Sequence, residues 1–128
     1  MNLLIDTHLL LRSAFDPLRL PPSAGEMMLD PANQLWFSAA SIWEVAIKRG
    51  LSRPDFKVEP SVLRAGLLAN DYQELPVDGR HCITLGTLAF HHSDPFDRIL
   101  IAQAICEGMV LLTSDARIGE YSGPIQLV

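Results

Sequence analysis

Two rhythms of apolar and polar residues run through this chain, short strand-like runs taking turns with longer helix-like ones. The opening NLLID (2–6) is a compact apolar run that ends on an acid, as a buried strand would. THLLLRSAF follows as a short helix closed by DPLRLPP, and SAGEMMLD as a second helix ending before Pro31. QLWFS (34–38) is a second strand candidate. It leads directly into AASIWEVAIKRG, where Ile42, Val45 and Ala46 recur at helical spacing and Gly50 is a stop signal. LSRPDFKVEP is a loop, SVLRAGLLAND a helix, YQELPV an edge-like strand, and DGRHCITLGTLAF a helix weakened by Gly86. HHSDPFDRILIAQA opens a further helix that reaches about Glu107 with Gly108 as its cap. MVLLTS (109–114) and PIQLV complete the set as strands.

Strands and helices alternating at this spacing predict one α/β domain over residues 1–128, with a parallel sheet covered on both faces. Functional groups in such sheets gather outside the carboxyl ends of the strands. Asp6 falls at the end of the first predicted strand and Asp115 just beyond the one at 109–114, which makes that edge the place to look for chemistry.

Composition adds boundaries. The 48% hydrophobic and 20% charged fractions are those of an ordinary globular protein. No run approaches the ~18 apolar residues of a membrane span, and the N-terminus lacks the basic start and cleavage site of a signal peptide. Cys82 and Cys106 lie in apolar surroundings without CxxC spacing, and read as reduced, buried thiols of a cytosolic protein. Trp36, Trp43 and Phe37 read as core. The net charge of −5 argues superficially against a nucleic-acid partner. With four of the fifteen acids gathered in one site, however, the remaining eleven nearly balance the ten bases, and charge becomes neutral on the question.

The acids therefore have to be weighed one by one. Asp6 suits an N-cap for THLLL as well as it suits a site. Glu44 interrupts the apolar run IWEVAI. A surface pair with Lys48 would explain it for ~0.3–0.5 kcal/mol, but so apolar a helix leaves little solvent face, and a carboxylate turned inward needs a cation or a hydrogen-bond donor. Asp94 and Asp97 flank Pro95 as an N-cap and an N3 residue would; the cap reading covers Asp94 well and Asp97 less well, because Asp reaches back poorly. Asp115 suits a cap for a short last helix. Four acids from separate segments (Asp6, Glu44, Asp97, Asp115), converging on one sheet edge, would repel one another unless a hard cation sat among them. All-oxygen ligation suits Mg²⁺ or Mn²⁺, and such an ion can activate water against a phosphodiester. His8, His81, His91 and His92 show no zinc spacing, and the adjacent pair His91 and His92 reads as loop or substrate-facing. Lys48, Arg49, Arg53 and Lys57 form the densest basic cluster, either a solvated surface or a contact to a phosphate backbone.

Four segments, LLIDTHLLL, SAASIWEVAIKRG, HHSDPFDRILIAQA and LLTSDARIGEY, appear in an order and at a spacing that resemble the PIN-domain ribonucleases, specifically the VapC-type toxins of bacterial toxin–antitoxin pairs. The resemblance spans nearly the whole chain. It implies a three-layer α/β/α fold and a cytoplasmic, Mg²⁺-dependent endoribonuclease, with Mn²⁺ as the alternative ion, that cuts RNA through metal-activated water. It also implies a homodimer silenced by a small antitoxin. Asp6 and Asp97 would be direct ligands, with Glu44 and Asp115 in support. Asp94 would be a ligand, a water-orienting group or a cap, and Lys48, Arg49 and Arg98 would be contacts to substrate. The competing readings are another carboxylate–Mg²⁺ phosphohydrolase and a non-catalytic PIN-like interaction module. A haloacid-dehalogenase phosphatase would want a second acid where Asp6-Thr7-His8 has histidine.

Overall fold

A computed structural model describes residues 1–128. Its strands are β1 (Asn2–Ile5), β2 (Gln34–Ser38), β3 (Gln73–Leu75), β4 (Val110–Thr113) and β5 (Ile125–Leu127). Its helices are α1 (Thr7–Phe15), α2 (Pro22–Leu29), α3 (Ala39–Gly50), α4 (Pro60–Ala69), α5 (Gly79–Leu85), α6 (Pro95–Glu107) and α7 (Ala116–Gly119). The strands form one sheet in the order β3-β2-β1-β4-β5, with every pairing parallel. The central strand carries the register: Leu4 lies opposite Trp36 on β2 and Leu111 on β4.

Strand alternation divides the core into two layers. Leu3 and Ile5 of β1 and Leu112 of β4 face a cluster completed by Leu9 and Leu10 of α1, Val45 of α3 and Leu63 and Leu67 of α4. Leu4 and Leu111 face the other way, onto Leu100, Ile101 and Ala104 of α6 and Ile118 of α7. The result is the three-layer α/β/α arrangement. Strand order reverses between β1 and β4, which places the topological switch point directly beyond Ile5 and Thr113. No helix is long and apolar enough to cross a membrane.

Local chemistry sets the helix ends. Asp94 caps α6 by accepting from Phe96 N–H at 2.9 Å, Pro95 occupies the first turn, and Gly108 closes the helix in the left-handed conformation at φ 65°. Three expectations from sequence are corrected. The helix over 78–90 stops at Leu85, because Gly86 caps it and residues 86–94 become irregular. Cys82 is exposed: Cys106 packs against Arg80 and Thr84, and Cys82 lies on the far side of the same short helix; both thiols are free. Trp43 is 60% exposed, its ring edge-on to Phe96 at 5.0 Å, while Phe37 is fully buried as core.

Candidate functional site

At the switch point, backbone geometry delivers the acids. Asp6 leaves β1 with its N–H still bonded to Leu112 O at 3.1 Å. Its carboxylate caps α1, accepting from Leu9 N–H at 2.8 Å, and also accepts from the Thr113 hydroxyl at the end of β4. The same Thr113 oxygen accepts from Asp115 N–H at 3.0 Å, so one side chain joins the two strand ends. Burial raises the pKa of Asp6 despite these bonds, and the charge of Asp115 adds to the effect. Asp115 is itself the cap of α7. Burial works against its charge, but the side-chain and backbone bonds from Arg117 outweigh burial and hold its pKa below the ordinary value.

Glu44 arrives from α3, which Ser38 caps by accepting from Ala40 N–H. It is buried to 1% exposure. One oxygen accepts from Lys48 Nζ at 2.6 Å, and the other, Oε1, is buried with no partner at all. Lys48 in turn lies 4.8 Å above the Phe56 ring. The i+4 pair is thus formed, but around a buried carboxylate and not on a solvated surface.

Asp97 arrives from the first turn of α6. It is buried, with Oδ2 3.0 Å from His92 Nε2, while Oδ1 accepts no hydrogen bond from the protein. Its pKa rises to about 6: burial dominates, the charges of Asp94 and Glu44 push the same way, and the bond to His92 opposes them. The charges of Glu44 and Asp94 thus act on Asp97, as that of Asp115 acts on Asp6. An open cleft of about 600 Å³ is lined by Asp94 together with Lys48, Arg53, His92, Phe96 and Arg117 among others; Asp6, Glu44, Asp97 and Asp115 do not line it.

The basic candidates separate. Lys48 borders the cleft; Arg49 pairs with Glu59 at 2.7 Å. Arg98 is buried, its Nη1 bonded to Ala89 O at 3.0 Å and to the Tyr121 hydroxyl at 2.9 Å, so it fastens the 86–94 loop. His92 lies in that loop, as expected, and lines the cleft while its ring is held between Asp97 and Tyr121. Reading by sequence missed Arg117, whose only local signal is its place two residues after Asp115, and Tyr121, whose partner His92 lies 29 residues away. A separate apolar cavity of about 650 Å³, lined by Leu20, Met28, Leu63 and Leu67 among others, lies between α1, α2 and α4.

Compared with known proteins, residues 3–124 match the family model of the PIN domain. Among curated protein sequences none matches the chain significantly. Three solved structures share its fold over nearly their full length. VapBC2 from Rickettsia felis, bound to a DNA fragment from its promoter, has a TM-score of 0.72 at 12% identity, covering 99% of this chain and 98% of that one. VapBC-1 from nontypeable Haemophilus influenzae has a TM-score of 0.66 at 18% identity, covering 99% and 98%. DNA-bound VapBC from Salmonella typhimurium has a TM-score of 0.62 at 16% identity, covering 100% and 97%. At such identities the structural likeness speaks for the fold, and the sequence match over 3–124 speaks for the family: this chain belongs to the PIN-domain family.

Proposed function

We propose that this protein is a divalent-metal-dependent endoribonuclease and the toxin of a VapBC-type pair, with its active site at the β1/β4 switch point. One observation carries the reading: a buried carboxylate oxygen at that edge is left without a donor. Glu44 Oε1 is buried without a partner, and Asp97 is crowded by burial and by two neighbouring acids. A buried polar oxygen with no donor costs ~1–3 kcal/mol, and more when it is charged, unless something absent from the polypeptide satisfies it. Oxygen donors in this number suit Mg²⁺ or Mn²⁺.

Asp6 and Asp97 would hold the ion, with Glu44 and Asp115 in support. When bound, the ion supplies Lewis-acid stabilisation of phosphoryl charge and lowers the pKa of a water it holds. The polypeptide does the rest. Asp94 sets the rigid start of α6 and so aims Asp97. Lys48 holds Glu44 in place from one side. Arg53 and Arg117, on the cleft wall, offer charge to the phosphate backbone. Phe96, with Trp43 edge-on behind it, offers an aromatic surface to an unstacked base.

The toxin role and an antitoxin partner are supported by the VapBC complexes among the fold's neighbours. The exposed Leu29 and Val62, beside the apolar cavity between α1, α2 and α4, give such a partner a surface to bury. Residues 1–128 would act as one domain in the cytoplasm, as a homodimer. The test is direct: purified protein incubated with total RNA cuts at defined sites when Mg²⁺ or Mn²⁺ is present and stops when EDTA is added, and 5′-end sequencing maps those sites. Cleavage indifferent to EDTA, or none with either ion, would overturn the reading.

A further inference from the structure

The loop before α6 contains a buried network that the proposed chemistry has not used. The Tyr121 hydroxyl oxygen receives two donors, Arg98 Nη1 at 2.9 Å and His92 N–H at 3.3 Å. With its lone pairs so engaged, its own proton must go to an acceptor, and the nearest is His92 Nδ1 at 2.9 Å, against 3.3 Å to His92 O. An imidazole that accepts at Nδ1 carries its proton on Nε2. Nε2 lies 3.0 Å from Asp97 Oδ2, so that proton faces a carboxylate oxygen. The other neutral tautomer would set a lone pair of Nε2 against that oxygen and a third donor against the phenol. Only one arrangement satisfies every group: Arg98 to Tyr121, Tyr121 to His92, His92 to Asp97. All four side chains are buried, which makes an unpaired donor or acceptor among them costly.

We propose that His92 is a positioning residue: oriented by Tyr121 and Arg98, it fixes Asp97 by donating Nε2–H to Oδ2 and leaves Oδ1 free for a divalent cation. This rests on the reading of Asp97 as an ion ligand. Outer partners of this kind hold ligating groups in register and are typically worth about 10- to 100-fold in metal affinity. Tyr121, at the end of α7, thereby ties the geometry of Asp97 on α6 to the segment that follows Asp115, so two parts of the carboxylate edge share one scaffold.

The experiment compares variants that separate reach from bulk. In His92→Gln the amide nitrogen extends to the place of Nε2 and can still donate to Asp97. In His92→Asn it stops near the place of Nδ1 and cannot. Mn²⁺ affinity is measured by calorimetric titration of the full chain, with melting temperatures in EDTA as the control for folding. His92→Asn is expected to weaken Mn²⁺ binding about 10- to 100-fold, and His92→Gln to stay within a few-fold of the parent. Tyr121→Phe, which keeps the ring and should fold even if His92→Asn does not, should fall between them. Long-range ¹⁵N–¹H correlation in the metal-free parent should show His92 as the Nε2–H tautomer. A parent that binds Mn²⁺ while the Asn, Gln and Phe variants all bind like it, or an Nδ1–H tautomer, overturns the relay alone. A parent that binds neither Mn²⁺ nor Mg²⁺ overturns the nuclease reading and the relay together.

Discussion

The two ends of α6 each press an imidazole against a carboxylate, and they differ in how the charge is settled. At the C-terminal end, His81 is fully buried: Nδ1 accepts from Asp78 N–H at 3.0 Å and Nε2 lies 2.8 Å from Glu107 Oε1. Arg80 spans the same acids, at 2.9 Å from Asp78 Oδ2 and 2.7 Å from Glu107 Oε1. The hydrogen bond from His81 leads in lowering the pKa of Glu107, and that from Arg80 leads for Asp78. At the N-terminal end, ten residues and ~15 Å of helix away, His92 meets Asp97, yet the pKa of Asp97 is raised and Glu44 keeps an orphaned oxygen. By distance alone the first cluster is the better metal site, since Asp78, His81 and Glu107 bring one ligand atom each within 4.8 Å. By charge it is finished: both imidazole nitrogens are used and Arg80 supplies the cation. Close packing of ligands marks a clasp between α5 and α6, whereas a buried carboxylate oxygen without a donor marks a place where a cation is still wanted.

The largest effect that would break this contrast is on catalysis. Asp6→Asn or Asp97→Asn should take RNA cleavage to background with the fold intact by circular dichroism, and Glu107→Gln should leave it near the parent rate. Equal loss in all three would show that the clasp, and not the carboxylate edge, governs activity.

A saturating ion is the next probe. At a hundredfold excess over Kd, binding to the folded state contributes ~2.7 kcal/mol, a rise in melting temperature on the order of 10 °C for a chain of this length. Mn²⁺ should produce that rise in the parent and in Glu107→Gln, and should lose it in Asp97→Asn. A rise abolished by Glu107→Gln would move the ion to the other end of α6.

The contrast also marks where sequence reading reached and where it stopped. Asp6 and Asp115 were legible because each ends an apolar strand run, and Glu44 because an acid inside IWEVAI has few places to go. Asp94 and Pro95 announced the helix start by local cap chemistry alone. Burial by composition failed at Trp43 and Cys82, since apolar residues are free to stand at a surface while polar ones resist the core. The inward turn of Arg98 and the pairing of His92 with Tyr121 depend on contacts between distant segments that no local spacing encodes. The clasp at His81 was invisible for the same reason: its third member, Glu107, lies 26 residues along.

Acid titration in EDTA gives the two clusters opposite signs, and it yields the smaller effects. Asp97 has a folded pKa of about 6 against an ordinary 3.8. Between those values the metal-free folded chain binds more protons than the unfolded one, so this group makes stability fall as pH rises from about 4 to 6. Asp97→Asn removes that penalty and should stabilise the ion-free protein at pH 7.5 by about 1–3 kcal/mol in urea denaturation, with the gain gone near pH 4. Glu107 is the reverse case. Its pKa lies below the ordinary 4.5, with the His81 bond as the leading cause, so it contributes stability above that value and loses it as pH falls through the depressed pKa. Glu107→Gln should therefore cost stability at pH 7.5, by no more than the ~1 kcal/mol of a largely exposed ion pair, and the cost should vanish in acid. Two variants ten residues apart on one helix would then cross in opposite directions on the same pH axis, and a common sign would mean that both ends of α6 hold their charge in the same way.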